Sequence, residues 1–334
     1  MQFYDYWWHD FKIYPITVND FVSQVRHFLT QHHLTFSETA DFGLPFSHFY
    51  FPEKQLIVHC VSLFSALNNP FVFQEITNQI GQRQQRIVHL WEDVWFKSPE
   101  IVQSRLLASL GHSQRISARL TQARRIDKAT LDAFLTTNHL QASTNAKLKY
   151  GLFLPQKHFS KIKSQGKFGS TMIYTGIIRG DTDNDDCRCL CPHRQLPSCV
   201  NQRRIEKPQT PEKLVAVASF SSLKTYWRAQ KPCRSAELIR FCNLLNCTVV
   251  GGLDKLLKTF IEETNPDDLM TYADRDWSDG RSYQRLGFEL IEQTHPQAFW
   301  VDNHTFERHK HPHSTSDLVK IYNAGSLKFL KKIK

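Results

Sequence analysis

Apolar and polar positions repeat on two different periods along this chain, and the switches between them mark out its elements. Val18 to Leu29 carries Phe21, Val25 and Phe28 at helical spacing, which predicts an amphipathic helix. From Gly43 to His59 the period shortens to two on either side of Pro52-Glu53-Lys54, predicting two strands around a turn. A Gln-rich helical segment then leads into a third predicted strand, Arg86 to Trp95. Ser98-Pro99-Glu100 offers an N-cap, a proline at the first helical position and an acid in the first turn. The helix it opens turns Ile101, Val102, Leu106 and Leu107 to a core and ends at Gly111.

Asp127 caps a predicted helix through Phe134 to Asn138-His139, and strands are expected at Lys149–Leu154 and Leu214–Phe220. Glu237 to Cys242 reads as a strand, and Val249-Val250-Gly251-Gly252 runs into a helix. That helix places Leu253, Leu256, Leu257 and Phe260 on one face and Asp254, Lys255 and Lys258 on the others. Asn265-Pro266 ends it, Leu269 to Tyr272 forms a second strand, and Tyr283 to Phe288 closes the stretch. Phe299-Trp300-Val301 is expected as the last strand. A strand feeding a glycine pair at a helix N-terminus is a natural anion cradle, because unpaired N–H groups point outward there. Close packing of helix on strand would equally call for the glycines.

Charge changes the picture next. A formal net charge of +10 argues for a polyanionic partner, most often nucleic acid. Between Arg115 and Lys167 eleven Lys or Arg face only Asp127 and Asp132. Ser113 to Arg125 therefore reads as a basic linker or a helix lying on phosphates. At 334 residues the chain is expected to hold two domains. The longest apolar run, near Leu56 to Phe64, is too short for a bilayer, and the N-terminus lacks a basic signal-peptide region. A cytoplasmic protein with no membrane partner is the expectation.

Eight cysteines are present, four of them between Cys187 and Cys199 inside a polar segment, Gly180 to Gln209, that interrupts a hairpin. Cys187, Cys189, Cys191, His193 and Cys199 exceed the four ligands a structural zinc needs, although no C-x-x-C pair is present. Zinc or another thiophilic metal, and a reduced cysteine-rich loop, both stay open. Cys60, Cys233, Cys242 and Cys247 stand singly in apolar surroundings, as buried thiols do. The acidic run from Asp181 to Asp186 lacks the glycine and glutamate of a calcium loop and reads as solvated.

Two resemblances join these observations. Asn138-His139-Leu140-Gln141, Glu237 to Phe241, Val249 to Gly252, Tyr272-Ala273-Asp274 and Gly280 to Gln284 together resemble a GNAT-type acyltransferase. The similarity is to its Mom-like branch, which modifies DNA adenine, and to related phage domains. Phe49 to Lys54, His89 to Trp95 and Val102 to Leu107 resemble the Vsr-like branch of PD-(D/E)XK nucleases. That family's two metal-binding acids fall at His48 and His59 here, which implies a nuclease domain without cleavage activity.

The resemblances imply an α/β (α+β) protein, with a restriction-endonuclease-like mixed sheet followed by a GNAT-like one. Residues 1–112 would be the nuclease-like domain, 113–126 a basic linker, and 127–334 the GNAT-like domain with its insertion at 180–209. Val250, Gly251 and Gly252 would hold the pyrophosphate of an acyl-CoA, and Arg240 would orient a polar group beside the thioester. Asp274 would orient or deprotonate the amine and Tyr283 would protonate the departing thiolate. Arg119, Arg124, Arg125, Lys147 and Lys149 would hold the DNA backbone, and Trp277 is a candidate to stack on a flipped base. Modification of a DNA base by acyl transfer is one function this implies. A non-catalytic DNA-binding protein and an endonuclease using His48 and His59 are the others.

Overall fold

A computed structural model describes residues 18–63, 69–141, 145–161, 173–174, 211–228, 230–312 and 317–334. The cysteine-rich insertion, with Cys187, Cys189, Cys191, His193 and Cys199, lies outside them. The architecture is the expected mixed α/β one, with mixed sheets flanked by helices. No helix among the described residues is long and apolar enough to cross a membrane. The chain gathers into two compact units, Met1–Val102 with Tyr272–Phe329, and Gln103–Thr271 with Leu330–Lys334.

In the first unit, helix Val18–Gln31 buries Phe21, Val25, Phe28 and Leu29. Strands His48–Phe51 and Leu56–Val61 pair antiparallel around the Pro52–Lys54 turn, with His48 opposite His59. Leu56–Val61 also pairs parallel with Arg86–Trp91, so it is central and buried at all six positions. That is why its sequence is an apolar run rather than an alternation. Helix Val72–Gln82 packs Ile76 and Ile80 onto Ile57 and Ile87.

The predicted strand Arg86 to Trp95 is corrected by the structure: it ends at Trp91, and Glu92–Lys97 is a helix. Both acids at its start are buried. Glu92 accepts from Ser62 Oγ at 2.7 Å and from Leu63 N at 3.0 Å, and Arg308 grips Asp93 through two nitrogens. The apparent alternation through Val94 and Trp95 belongs to a helix turning its own face inward. Ala298–Asp302 is a strand as expected but not the last one. It pairs with Arg308–His309 and Leu318–Tyr322, and Ser326–Lys332 follows. Val301, Ile321 and Ala324 join Val61, Leu63, Phe73 and Trp91 in one cluster.

The second unit is built on strands Gln122–Arg125, Leu148–Pro155, Glu212–Phe220 and Lys231–Asn243, each antiparallel to the next. Helix Lys128–Asn138 is capped by Asp127, whose Oδ1 accepts from Thr130 N at 2.7 Å. Its Leu131, Phe134 and Leu135 pack with Ile126, Phe153, Leu214 and Val217. The segment 113–125 is not one helix lying along its length. Strands Gln114–Ser117 and Gln122–Arg125 flank a turn at Ala118–Leu120. Ile116 and Ala118 are buried while Arg115, Ser117 and Arg119 are exposed, a period of two that the charges hide.

Candidate functional site

The glycine loop is the best-defined feature of the second unit. Strand Cys247–Val250 pairs parallel with Gln114–Ser117 and stops at Val250. Gly251 then takes φ +76°, ψ 8°, a left-handed conformation that a side chain disfavours, and helix Gly252–Thr264 begins. Leu253, Leu256, Leu257 and Phe260 are buried, as their spacing predicts. The helix ends at Asn265, also left-handed, just before Pro266. A Cβ at Gly252 would stand 3.0 Å from that of Val249, so close packing accounts for the second glycine.

The turn at Ala118–Leu120 borders this loop, since a Cβ at Gly251 would meet Ala118 Cβ at 3.7 Å. Lys255, in the first turn of the helix, donates to Ala118 O at 3.0 Å and to Thr121 O. Arg119, exposed, follows Ala118 directly. The helix N-terminus thus combines outward N–H groups, a dipole that favours an anion and an exposed arginine in the bordering turn.

Helix Gly252–Thr264 connects two parallel strands. Ser235–Leu238 pairs with Asp268–Thr271, and there the parallel register ends. Strand Lys231–Asn243 continues along Glu212–Phe220 to Asn243, with an irregularity at Ile239. Glu237 and Arg240 flank this point. Burial raises the Glu237 carboxyl above its ordinary range, with Arg240 and Lys224 opposing the rise. Sequence reasoning missed Glu237 as a chemical group, because a carboxylate on a strand looks solvated until the neighbouring strand is known. Arg240 donates to Ile239 O at 2.8 Å. His139 is pushed down to about 4 by burial, and Arg105 and Arg240 add to the shift.

Asp274 and Tyr283 lie in the first unit, apart in sequence grouping from Arg240 and the glycine loop. Asp274 Oδ1 accepts from Asp276 N at 3.0 Å, and its carbonyl accepts from Trp277 N and Ser278 N, so it organises a turn. The Tyr283 ring packs on Phe288 and Phe329 at 5.7 and 5.6 Å. Trp277 is buried. Of the expected DNA-binding residues, Arg124 pairs with Glu212 over the Phe153 ring, and Arg125 pairs with Glu263. Lys147 is exposed and Lys149 half-buried at the head of strand Leu148–Pro155.

His48 Nε2 donates to Ala40 O at 2.7 Å, and His59 meets His89. No group of three or more His, Cys, Asp or Glu among the described residues is placed to hold a metal. Cys60, Cys242 and Cys247 are buried thiols as expected, and Cys233 is half-buried.

No protein-family model matches the chain, and no curated protein matches it by sequence. Among solved structures, it is similar to the crystal structure of the NatC complex bound to Gag peptide and CoA. The two share 9% identity over 39% of this chain and 67% of that one, with a TM-score of 0.22. A likeness so slight carries no weight for fold or chemistry, and function is read from the chain's own residues.

Proposed function

We propose that the Gln103–Thr271 unit binds an acyl-CoA and passes its acyl group to an amine, the exocyclic amine of a DNA adenine being the substrate. The observation that supports this most is the crossover itself. Strand Cys247–Val250 stops at a left-handed glycine and a helix N-terminus, within a crossover whose flanking strands, Ser235–Leu238 and Asp268–Thr271, keep parallel register for only four residues. Val250, Gly251 and Gly252 present backbone N–H groups to a pyrophosphate, and Arg119 supplies a second positive contact. Glu237, its proton affinity raised by burial, takes the proton from the attacking amine, and Arg240 neutralises charge at the reacting carbonyl. The new C–N bond forms as the C–S bond breaks, and the proton taken by Glu237 passes to the departing thiolate. The net charge of +10 favours DNA as the partner, and the Vsr-like and Mom-like resemblances are of the same kind.

Two measurements test the reading in sequence. Acetyl-CoA should raise the thermal midpoint of the wild type in a concentration-dependent way, and Arg119→Glu should blunt the rise. A nucleoside census by mass spectrometry, on plasmid DNA from expressing cells, should then show a modified adenosine that Glu237→Gln abolishes. Absence of any CoA-dependent stabilisation would end the acyltransferase proposal. CoA binding with unmodified DNA would leave the cofactor assignment standing and remove DNA as substrate.

A further inference from the structure

Strands Lys224–Arg228 and Lys231–Asn243 form an antiparallel ribbon, with Trp227 opposite Pro232, Tyr226 opposite Cys233 and Thr225 opposite Arg234. The ribbon emerges from the sheet where burial stops, at Ser235 and Ala236. Beyond them Trp227 is 74% exposed and Tyr226 44% exposed, both among the large side chains that the fold leaves in solvent. Adjacent strand residues face opposite ways, so each face of the ribbon displays one aromatic ring. Tyr226 shares its face with Lys224 and Lys231, both exposed, and Trp227 shares the other with Pro232 and Arg234. Lys224 to Arg234 contains four Lys or Arg and no Asp or Glu.

A solvated indole this exposed does nothing for folding. We infer that the ribbon is a stacking platform for single-stranded DNA, with an unpaired base lying on Trp227 and a flanking phosphate meeting Arg234 on the same face. Every base offers a π-face, and aromatic side chains set among cations bind single strands with little regard to sequence. A paired, stacked base offers no face to an indole, so an intact duplex lacks the principal contact. A lipid surface fits less well, because Lys224 to Arg234 holds no Leu, Ile, Val, Met or Phe to enter an acyl layer. The choice of DNA over RNA rests on the proposed function; the stacking geometry does not.

The test uses the full chain without acyl-CoA, so that its failure is separate from failure of the acyltransferase reading. Anisotropy of a labelled thymidine oligonucleotide of about 12 residues is compared with a duplex of the same length, an RNA of the same sequence and anionic phosphatidylserine vesicles. The single DNA strand should bind more tightly than the duplex. Trp227→Ala should weaken it by roughly 5- to 150-fold, while Trp227→Phe retains most of the affinity. Arg234→Ala should lower the slope of log affinity against log salt by about 0.7. Equal binding by wild type and Trp227→Ala, or an advantage for duplex, overturns the proposal. So does Trp227-dependent binding found only with RNA or only with vesicles.

Discussion

At the scale of single residues, the first unit holds a buried hydrogen-bonded chain whose proton positions follow from its geometry. Thr77 Oγ1 donates to Phe73 O at 2.7 Å, so it accepts from His89 Nε2 at 2.8 Å. His89 Nδ1 is then a lone pair and accepts from His59 Nδ1 at 3.0 Å. His59 Nε2 is left as a buried lone pair without a partner. A second proton on either ring would be a buried charge without an acceptor. Burial pushes His89 down to about 3 and lowers His59 well below its usual range, with each cationic neighbour adding to the effect. In the unfolded chain both titrate near the ordinary value of about 6.5. The folded state therefore binds fewer protons below that pH, and its stability falls as the pH drops, by up to about 1.4 kcal/mol per unit for each ring. Between pH 7 and pH 5 the stability of His89→Gln from urea unfolding should fall less than that of the wild type, the difference being up to about 1.4 kcal/mol per pH unit. Asp276, which burial and Asp274 push up to about 8, acts in the opposite sense, but it is common to both proteins and cancels. An unchanged pH dependence in His89→Gln would show that the ring is not buried neutral. Asp276 itself accepts from Trp91 Nε1 at 3.0 Å and Ala324 N at 2.8 Å. Asp276→Ala strands both donors in the interior and should cost about 2–4 kcal/mol by denaturant unfolding, whereas Asp276→Asn keeps an acceptor and should cost less. None of this was legible beforehand. His59 stood out in the sequence as a substituted acid, but Trp91 and Asp276 are 185 positions apart, and no periodicity links them.

At the scale of elements, the sequence spoke clearly wherever the deciding contacts are local. The Gly252–Thr264 helix carries its own apolar face, its glycine entry and its Asn-Pro exit within one short stretch. The Asp127 cap is equally local. Two elements were misread for the converse reason. The turn from strand to helix at Trp91 depends on Glu92 reaching Ser62 and Leu63, about thirty residues back. The strand Gln114–Ser117 exists because Cys247–Val250 lies beside it, a partner its own basic sequence does not announce. Among the residues proposed for chemistry, the glycine loop and Arg240 could be picked out from the sequence, whereas Glu237 needed the sheet. Glycine substitutions separate conformational from steric demands. Gly251→Ala meets only an ordinary contact with Ala118 but must hold φ +76°, and should lose about 1–2 kcal/mol. Gly280→Ala must hold φ +77° and also place its Cβ 2.2 Å from Phe329 Cζ, so it should lose considerably more. Thermal midpoints of the two variants in parallel would show the order. Equal losses would mean that Phe329 swings aside without cost.

At the scale of the whole molecule, the division expected after residue 112 can be put to a direct test through what Tyr272–Phe329 contributes to the first unit. Val301, Ile321 and Ala324 lie in the same cluster as Val61, Leu63, Phe73 and Trp91. Arg308 supplies the counter-charge to Asp93, which is only 1% exposed, and rests over the Trp91 ring at 5.6 Å. Asp276 accepts the Trp91 indole proton, and its carbonyl accepts from His89 N at 2.8 Å. A fragment of residues 1–112 would keep its own three-stranded sheet and helices but lose every one of these. Removing the partner of a buried charge alone costs about 3–5 kcal/mol, against a total domain stability of about 5–15 kcal/mol. Exposing Trp91 and the apolar cluster adds to that loss. The fragment should therefore show helical far-ultraviolet dichroism without a cooperative urea transition, and its Trp91 and Trp95 fluorescence should be that of solvated indoles. Local patterning cannot reveal such a return of the chain, since each segment is amphipathic on its own terms and none names its partner. A fragment that unfolds cooperatively near the midpoint of the full chain would instead show that 1–112 is self-sufficient, with Arg308 and Asp276 dispensable to its core.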